Sequence, residues 1–512
     1  MKKIVLSISL ILTTIGVVAQ DIYQIAELST VDLNGTSRYV GMGGAMNSLG
    51  GDLSTMSSNP AATGLYRRSD VAASLSLVTQ PAGYKFDGKG NTHVSFDQLG
   101  FIYSSPIKDK TLKYVNIGVN YHKMRNFNQL IASSATNLAD YGNASQTWQL
   151  SDLCNYWGGE NKATPLAEMA YEAFLLGGED SGYSAYGASS HFYNKARWGG
   201  NHSFDFNISF NLKDQYYLGL TVSGYYVNEK SFSAYTEDLV TANGQSDGFY
   251  TLTNENSLKG TGVDAKFGFV VRPIRNSNFK VGISLSTPTY YELTYRNEAI
   301  LSTYENQWGE YDLIGPYTDY DYKIRSPWRL NLSVGNTFFN RLALGAEYEF
   351  ADYSSCSVSY GDSFDDWDFS KDRELNRQAD KYLKGTHTLK VGAELMVARN
   401  LFVRAGYNYV TSMFDNNAYL NQYINSASID AATSTDYLNT SAINRYTAGV
   451  GVKFGSFYAD ASWLYQCQHG DFYAFSASRD GSYFVPNREN VCPSRRVGLN
   501  KSQFALTMGY RF

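Results

Sequence analysis

The 512-residue chain lacks most features that would mark it as a soluble enzyme or a nucleic-acid-binding protein. Beyond its N-terminus, no segment has eighteen consecutive apolar residues, so no later transmembrane helix is predicted. No C-x-x-C pair is present for zinc, and neither H-E-x-x-H nor G-x-S-x-G occurs. The net charge of −5 has both signs mixed and gives no basic face for nucleic acid. We therefore predict no enzymatic activity, no metal, no cofactor and no nucleic-acid partner.

Cysteine and proline are also scarce, with 4 and 10 residues. The cysteines are Cys154, Cys356, Cys467 and Cys492, which allow three pairings if all are bridged. Cys467 and Cys492 fall on the two arms of one predicted loop, so they are the favoured disulfide. Four free thiols are the alternative, and the sequence leaves both open.

Aromatic residues, by contrast, are abundant, and they alternate with polar ones. They make up 15% of the chain, with 42 Tyr, a residue that suits the two interfaces of a membrane. In the last nine residues, Phe504–Phe512, the apolar side chains take every second position, which puts them on one face of a strand. A strand between lipid and a polar lumen has this pattern. A terminal strand ending in an aromatic also resembles the signal for outer-membrane insertion, so the barrel-assembly machinery is an expected partner.

The N-terminus predicts export from the cytoplasm. Two lysines precede an apolar run from Ile4 to Val18, and Val17 and Ala19 occupy the small-residue positions before a cleavage site. This pattern predicts a signal peptide over residues 1–19, cut before Gln20. Since the mature chain has no predicted membrane helix, it can span a membrane only as a closed barrel.

The same alternation recurs along the chain and predicts about fourteen strands, an even number as in single-chain bacterial barrels. Short turns, such as 213–215 and 455–456, alternate with long polar connections. The long connections are predicted near 126–200, 228–257, 294–322, 354–384, 411–443 and 467–497. We therefore predict an all-β, transmembrane antiparallel β-barrel over residues 67–512, with short periplasmic turns, long extracellular loops and periplasmic termini. It would lie in the outer membrane of a Gram-negative bacterium, in contact with outer-membrane lipid.

Residues 20–66 do not alternate as strands do. They contain several glycines and the turn-forming triplet Asn59-Pro60-Ala61, with no P-loop or dinucleotide fingerprint. Apolar residues such as Val40 and Met56 argue against a disordered linker, which is the alternative. We predict that this segment is an N-terminal plug (hatch) in the lumen, and that Asn59, Pro60 and Ala61 fix it there.

Short motifs follow one another in a recognisable order along nearly the whole mature chain. They are Gly35–Ala45 (GTSRYVGMGGA), Gly51–Asp52, Ser58–Ala62 (SNPAA), Pro327–Arg329 (PWR), Glu347–Ser354 (EYEFADYS), Val391–Glu394 (VGAE) and Arg404–Tyr407 (RAGY). This order resembles the FadL/OmpP1/TodX family of outer-membrane transporters of hydrophobic compounds. The Ala-Gln cleavage site and the Tyr-rich loops resemble its Bacteroidetes branch.

The resemblance implies a monomeric fourteen-stranded barrel with an N-terminal plug and with neither catalysis nor a cofactor. Its implied function is passive uptake of hydrophobic small molecules such as long-chain fatty acids. Some Bacteroidetes members instead serve secretion, so a shuttle or docking component of a type IX secretion system is the alternative function. An outer-membrane hydrolase is a more distant third.

Candidate ligand-binding residues come from two places. Thr164 and Pro165 start a predicted helix that ends at Gly177. Its apolar face includes Leu166, Met169, Ala173 and Phe174, which either form a ligand groove or pack against neighbouring loops. Alternate residues of a strand face opposite sides of the wall, and this pattern predicts that Arg329 and Arg404 point inward. There they either bind a fatty carboxylate or join a salt-bridge network that holds the plug.

Overall fold

A closed β-barrel forms the frame of the molecule. The computed structural model describes residues 21–178, 182–275, 277–305, 309–361, 369–476 and 490–512, so the predicted signal peptide, 1–19, lies outside the described residues. The barrel strands are β1 (Asp70–Thr79), β2 (Thr92–Pro106), β3 (Leu112–Asn126), β4 (Gly187–Leu212), β5 (Tyr216–Val240), β6 (Ser246–Val271), β7 (Lys280–Ser286 and Tyr290–Glu305), β8 (Thr318–Arg325 and Arg329–Phe338), β9 (Leu342–Asp352), β10 (Gly385–Ala398), β11 (Leu401–Val410), β12 (Ile443–Phe454), β13 (Phe457–Cys467) and β14 (Lys501–Arg511). Each pairs antiparallel with its neighbours, and β1 pairs with both β2 and β14, which closes the ring. The prediction of fourteen strands is confirmed.

Helices and short strands occur before β1 and in the connections. The helices are α1 (Ile22–Leu28), α2 (Ser37–Gly41), α3 (Gln146–Trp157), α4 (Pro165–Glu172) and α5 (Arg373–Tyr382), with 3-10 turns at Leu53–Ser57, Pro60–Leu65, Leu138–Tyr141, Glu160–Lys162 and Tyr353–Ser355. The short strands are Gln129–Thr136, Leu176–Gly177, Ser184–Ala185, Gly309–Ile314, Ser357–Gly361, Phe369–Lys371, Tyr437–Thr440, His469–Tyr473 and Arg495–Gly498. In the described part of the chain, no helix has the length and apolar character needed to cross a membrane.

Alternation along the strands sorts the side chains into two environments. On β4, Phe204 and Phe206 are more than half exposed, whereas Ser203 and Asp205, which alternate with them, are buried. The same outward, apolar exposure recurs around the ring, for example at Leu75, Phe101, Val119, Val222, Phe267, Ile283, Leu332, Leu389, Val450, Trp463 and Met508. An exposed apolar belt around a polar interior is the surface that a transmembrane barrel presents to lipid.

Strands β4 to β7 extend far beyond this belt, which corrects the prediction of long irregular loops. Residues 228–257 form mostly an extended hairpin, because β5 and β6 continue for 25 and 26 residues. The outward face turns polar after Tyr226, first at Asn228 and then at Lys230. The backbone ladder continues where the apolar alternation stops, so periodicity alone ended the strands too early.

The N-terminal segment, residues 21–66, lies inside the ring. It donates hydrogen bonds to inward side chains on opposite sides of the barrel: Ser37 to Thr507 of β14, Ser54 to Gln98 of β2, Ser57 to Asp205 of β4, Asn47 to Glu347 of β9 and Arg38 to Glu394 of β10. Polar inward side chains and an apolar outward belt therefore serve two different neighbours, the N-terminal segment and the surroundings of the barrel.

Candidate functional site: the barrel lumen

A buried chain of charges holds α2 to the wall. Arg38 Nη2 lies 2.8 Å from Glu394 Oε1, and Arg404 Nε lies 2.6 Å from the other oxygen of that carboxylate. Arg404 Nη1 also lies 2.5 Å from Asp460 Oδ1. Arg404 is buried and both of its charged contacts are to protein carboxylates. Of the two roles predicted for Arg404, the salt-bridge network is therefore the one that its geometry favours.

A second set of buried polar contacts holds the turn after α2. Asn47 donates its backbone N–H and its side-chain amide to the two oxygens of Glu347, at 2.6 and 2.9 Å. Lys390 Nζ lies 3.6 Å from the same carboxylate. Lys280 donates to the carbonyl of Leu49 at 2.9 Å. Buried charges held in this way are costly to separate, because each would be left without a partner.

The triplet Asn59-Pro60-Ala61 packs closely against the inner face of the barrel wall. Asn59 Oδ1 accepts the backbone N–H of Ala61 at 3.1 Å, which caps the 3-10 turn that Pro60 begins. Ala61 is fully buried, and Gly219 of β5 and Gly268 of β6 face the triplet. A Cβ on either glycine would overlap the backbone or side chain of the triplet. The wall glycines thus allow a close approach that larger residues would prevent.

Helix α1 lies at the other end of the segment and makes different contacts. Glu27 lies 3.2 Å from Arg125 of β3 and 2.5 Å from Arg197 of β4. Burial alone would raise the pKa of Glu27, but Arg197 and Arg125 outweigh burial and lower its pKa to about 2. Asp32 lies 3.6 Å from Arg125. Two acidic residues of the N-terminal segment therefore neutralise basic residues of the wall.

Two cavities surround α1. The larger, of about 280 Å³, has apolar lining from Ile22, Leu258, Met413 and Phe414. It also has charged lining, contributed by Asp21, Glu27, Asp32, Arg125, Lys195, Arg197, Glu229, Asp436 and Lys501. The smaller, of about 140 Å³, lies beside it and shares several lining residues with it, Arg125 among them. An apolar patch next to cationic side chains suits a molecule with a greasy body and an acidic head.

Arg329 lines the smaller cavity. It donates to the carbonyl of Ser29 and lies 3.4 Å from Glu349. Arg329 therefore has contacts of both predicted kinds, since it faces a cavity and also holds the chain between α1 and α2.

The predicted apolar helix exists as α4, but it lies elsewhere. Thr164 caps it by accepting the N–H of Ala167 at 3.1 Å, as predicted from the Thr-Pro pair. The helix ends at Glu172 and not at Gly177, which lies in a short strand. Leu166, Met169 and Ala173 are buried in a cluster with α3 and the extended parts of β5 to β7, whereas Phe174 is half-exposed beside Tyr311. None of the four lines either cavity, so packing against neighbouring loops accounts for this face.

Glu27, Arg125 and Arg197 were not among the predicted site residues. The sequence predicts one long connection near 126–200, and this prediction misses the first part of β4, which carries Arg197. Alternation around Phe192–Arg197 was the available signal, but it is weak because both faces of β4 are partly polar there.

The wall has a window next to the larger cavity. Strands β2 and β3 pair from Pro106–Tyr114 only as far as Gln98–His122. Beyond that point β2 continues beside β1 and β3 continues beside β4, and no β2–β3 pairs occur among the described residues. Side-chain contacts bridge the opening: Lys123 Nζ lies 2.8 Å from Ser95 Oγ, Asn126 Nδ2 lies 2.9 Å from His93 Nε2, and the Phe96 ring stacks on Tyr121 with centroids 5.3 Å apart. We call this opening the β2–β3 window.

One of the four cysteines, Cys356, contacts the N-terminal segment, with its Sγ 3.7 Å from Ser29 Oγ. All four thiols are free, so the predicted Cys467–Cys492 disulfide is absent and the free-thiol alternative holds. Cys492 is buried in the apolar cluster that contains α3 and α4, and Cys467 ends β13. The packing of Cys492 inside an apolar cluster keeps it from the end of β13.

Together these features define a class: a closed, fourteen-stranded barrel with an apolar outer belt and a lumen that holds its own N-terminal segment. No family model matches the chain, and no curated protein matches it. Among solved structures, a FadL homologue of Pseudomonas aeruginosa matches 94% of this chain and 100% of its own, with 13% identity and a TM-score of 0.53. At that identity the match shows a shared fold, which is the fold implied by the resemblance to the FadL/OmpP1/TodX family.

Two further structures are similar over the same length at lower scores. The Ralstonia pickettii toluene transporter TbuX covers 94% of this chain, with 13% identity and a TM-score of 0.48. The Pseudomonas putida toluene transporter TodX also covers 94%, with 13% identity and a TM-score of 0.47. Each match extends over 99% of the other chain.

Proposed function

We propose that this protein is a monomeric outer-membrane channel for passive uptake of hydrophobic molecules, without a catalytic step. The observation that carries the proposal is the partly apolar cavity of about 280 Å³ inside a barrel whose outer belt faces lipid. The closed ring leaves no strand edge to pair with a second chain, which favours a monomer. The short turns and both termini would face the periplasm, and the long connections the outside. Residues 20–66 would be the plug.

We further propose that the ligands include long-chain fatty acids. Around α1, the basic wall residues that line the two cavities include Arg125, Arg197, Arg445 and Lys501, and Glu229 pairs with Arg197. Arg445 donates hydrogen bonds to the neutral side chains of Gln466 and Asn408, both at 2.9 Å. A fatty carboxylate would complete such a basic layer, while its chain would occupy the apolar lining.

The exit for the ligand would be sideways. Residues 33–66 fill the lower lumen and are held by the buried charges of Arg38, Glu394 and Arg404. Moving this part would separate buried charges, whereas the β2–β3 window is bridged by side-chain hydrogen bonds and one aromatic contact. A hydrophobic molecule that leaves through the window would enter lipid without crossing a polar, tightly packed lumen.

The test is uptake of radiolabelled oleate and radiolabelled toluene by cells that produce the protein, with a vector-only strain as the baseline. We expect a several-fold increase for oleate. An unchanged rate for every hydrophobic probe would contradict the proposal. If, in addition, the protein copurified stoichiometrically with secreted proteins, the docking component of a type IX secretion system would replace it.

A further inference from the structure

The connection between β1 and β2, residues 80–91, folds over the outer face of the barrel. Gln80 makes two hydrogen bonds to Leu130, donating to its carbonyl at 2.6 Å and accepting its N–H at 2.9 Å. The Phe86 ring stacks on Phe232 with centroids 5.7 Å apart, and Lys89 Nζ lies 4.1 Å from the ring centroid of Trp198. We call residues 80–91 the strap.

The three anchor points of the strap point away from the lumen. Ile131, Arg197 and Ser231 line the larger cavity, and each is adjacent in sequence to an anchor. Because neighbours in a strand face opposite sides, the anchors Leu130, Trp198 and Phe232 face outward. The strap starts at the end of β1, returns to β2 and reaches β4 and β5 from outside. It therefore crosses the β2–β3 window on its outer side.

We propose that the strap is a lid over the β2–β3 window and that its opening controls how fast a ligand leaves the lumen. This inference rests on the proposed function, because it needs a hydrophobic ligand in the cavity. The strap is held by two hydrogen bonds at Gln80 and a few surface contacts, so it can open without unfolding the barrel.

The position of the strap fits release toward the membrane interface. Tyr84 in the strap and Val94 at the window edge are 77% and 74% exposed. Lys230 of β5, opposite Trp198, stands just beyond Tyr226, where polar residues first interrupt the apolar outward face. A tyrosine at the membrane interface, such as Tyr84, can place its hydroxyl in water and its ring against lipid, as in the aromatic girdles of membrane barrels. The lid would thus open where lipid headgroups begin.

A disulfide can test the lid. A Cβ built on Gly83 lies 3.3 Å from Leu130 Cβ, close to the spacing of about 3.5–4.5 Å in disulfides. We would make Gly83→Cys with Leu130→Cys, confirm the cross-link by mass, and compare oleate uptake before and after reduction. We expect uptake to be about tenfold slower when cross-linked and to recover on reduction, because lid motions can limit such rates. Each single variant, treated with the same oxidant, should behave as wild type.

The second variant works in the opposite direction. Gln80→Ala removes both hydrogen bonds to Leu130 and should speed release of prebound fluorescent fatty acid from the purified protein, by about tenfold. A cross-linked protein that transports at the wild-type rate would overturn the lid, and so would an unchanged release rate in Gln80→Ala. If wild-type cells take up no oleate or other hydrophobic probe, the proposed function fails instead. The two failures are distinguishable, because the cross-link and Gln80→Ala results concern the strap, whereas the wild-type uptake result concerns the proposed function.

Discussion

The two ends of the N-terminal segment are held to the same barrel in different ways. Residues 33–66 are bound by buried charges, as at Arg38 and Glu394, and by close packing of Ala61 against wall glycines. Helix α1 is bordered by two cavities and is bound to the wall by Glu27, beside an apolar cluster with the loops. Residues 33–66 border only the smaller cavity, at positions such as Leu33, Tyr39 and Ser57, whereas α1 adjoins the larger one.

Under the proposed function, this difference divides the lumen into a seal, residues 33–66, and a binding chamber around α1. Moving the seal would cost several kcal/mol of free energy, because each buried charge would lose its partner. The chamber can exchange one carboxylate, that of Glu27, for another on a ligand. The central claim is that ligands enter and leave the chamber while the seal stays in place.

The largest expected effect comes from removing the seal. Deleting residues 21–66 should leave a barrel with an open, ion-conducting lumen, whereas deleting only residues 21–32 should leave the conductance low. Single-channel recordings in planar bilayers compare the two directly. Equal conductance of both deletions would show that residues 33–66 do not seal the lumen.

Breaking the buried charge chain should destabilise the protein next most strongly. Arg404→Met leaves Asp460 buried without its partner, 2.5 Å away in the native protein, and should cost about 3–5 kcal/mol in the free energy of unfolding. The control is Arg296→Met, since Arg296 and Asp319 form an exposed pair worth about 1 kcal/mol or less. Urea unfolding in lipid vesicles measures both, and similar losses would contradict the comparison.

Bulk at the triplet should loosen the seal without preventing barrel assembly. Ala61→Trp has no room beside Gly219 and Gly268, so we expect about 1–3 kcal/mol of strain and reduced oleate uptake. Heat-modifiable gel mobility reports assembly in the same cells. Ala139→Trp, at an exposed position, is the matched control. Normal uptake by a correctly assembled Ala61→Trp protein would remove the triplet from the transport mechanism.

At the other end, weakening α1 should change binding more than stability. Glu27→Gln removes the carboxylate that occupies Arg125 and Arg197, so oleate should bind about tenfold more tightly, a gain of about 1.4 kcal/mol. Methyl oleate, which has no charge, should bind with unchanged affinity. Calorimetry of both ligands, with the exposed Glu255→Gln as the control variant, makes the measurement. Equal gains for the acid and the ester would argue against competition between carboxylates.

The smallest effect is the response of α1 to pH. The folded-state pKa of Glu27, about 2, is below its ordinary value near 4.5, so its stabilising ion pairs are complete above that value and are lost only as pH falls through about 2. Amide exchange of α1 should therefore not vary between pH 5 and 8 after correction for intrinsic rates. A marked change over that range would mean that Glu27 is not held by both arginines.

A buried carboxylate outside the membrane serves as the contrasting control. Glu237 lies in the extension of β5 beyond Tyr226 and accepts the N–H of Gln146, the first residue of α3, at 2.9 Å. Burial raises its pKa to about 7, above its ordinary value. Its contribution to stability is thus full at low pH and is lost as pH rises through about 7. Exchange of α3 amides should accelerate from pH 5 to 8, and Glu237→Gln should abolish this dependence.

Much of the barrel could be predicted from alternation, because lipid on one side and polar contacts on the other impose a period of two. In β1 (Asp70–Thr79), for example, the exposed Leu75 and Leu77 alternate with the buried Ser74 and Ser76. The long hairpin of β5 and β6 could not be predicted to its full length, since beyond Tyr226 both faces carry polar residues. Backbone hydrogen bonds to neighbouring strands hold this extension in place, and such pairing cannot be read from the sequence of one strand.

The site was less predictable for a similar reason. Parity turned Arg329 and Arg404 inward, but whether an inward arginine meets a ligand or a carboxylate depends on strands far away in sequence. Asp460, the partner of Arg404, lies two strands further along the chain. The triplet Asn59-Pro60-Ala61 could be located because its turn chemistry is local. Its close contact with Gly219 and Gly268 required the folded barrel.

Photolabelling with a diazirine analogue of oleate tests the central claim most directly. Purified protein in lipid vesicles would be irradiated with the probe, digested and mapped by mass spectrometry, with excess oleate as the competitor. We predict competable labels on chamber residues such as Ile22, Met413 and Phe414, and none on seal residues that line neither cavity, such as Arg38, Asn47 and Ala61. Labels confined to the outward belt, or not reduced by oleate, would contradict a ligand chamber above a fixed seal.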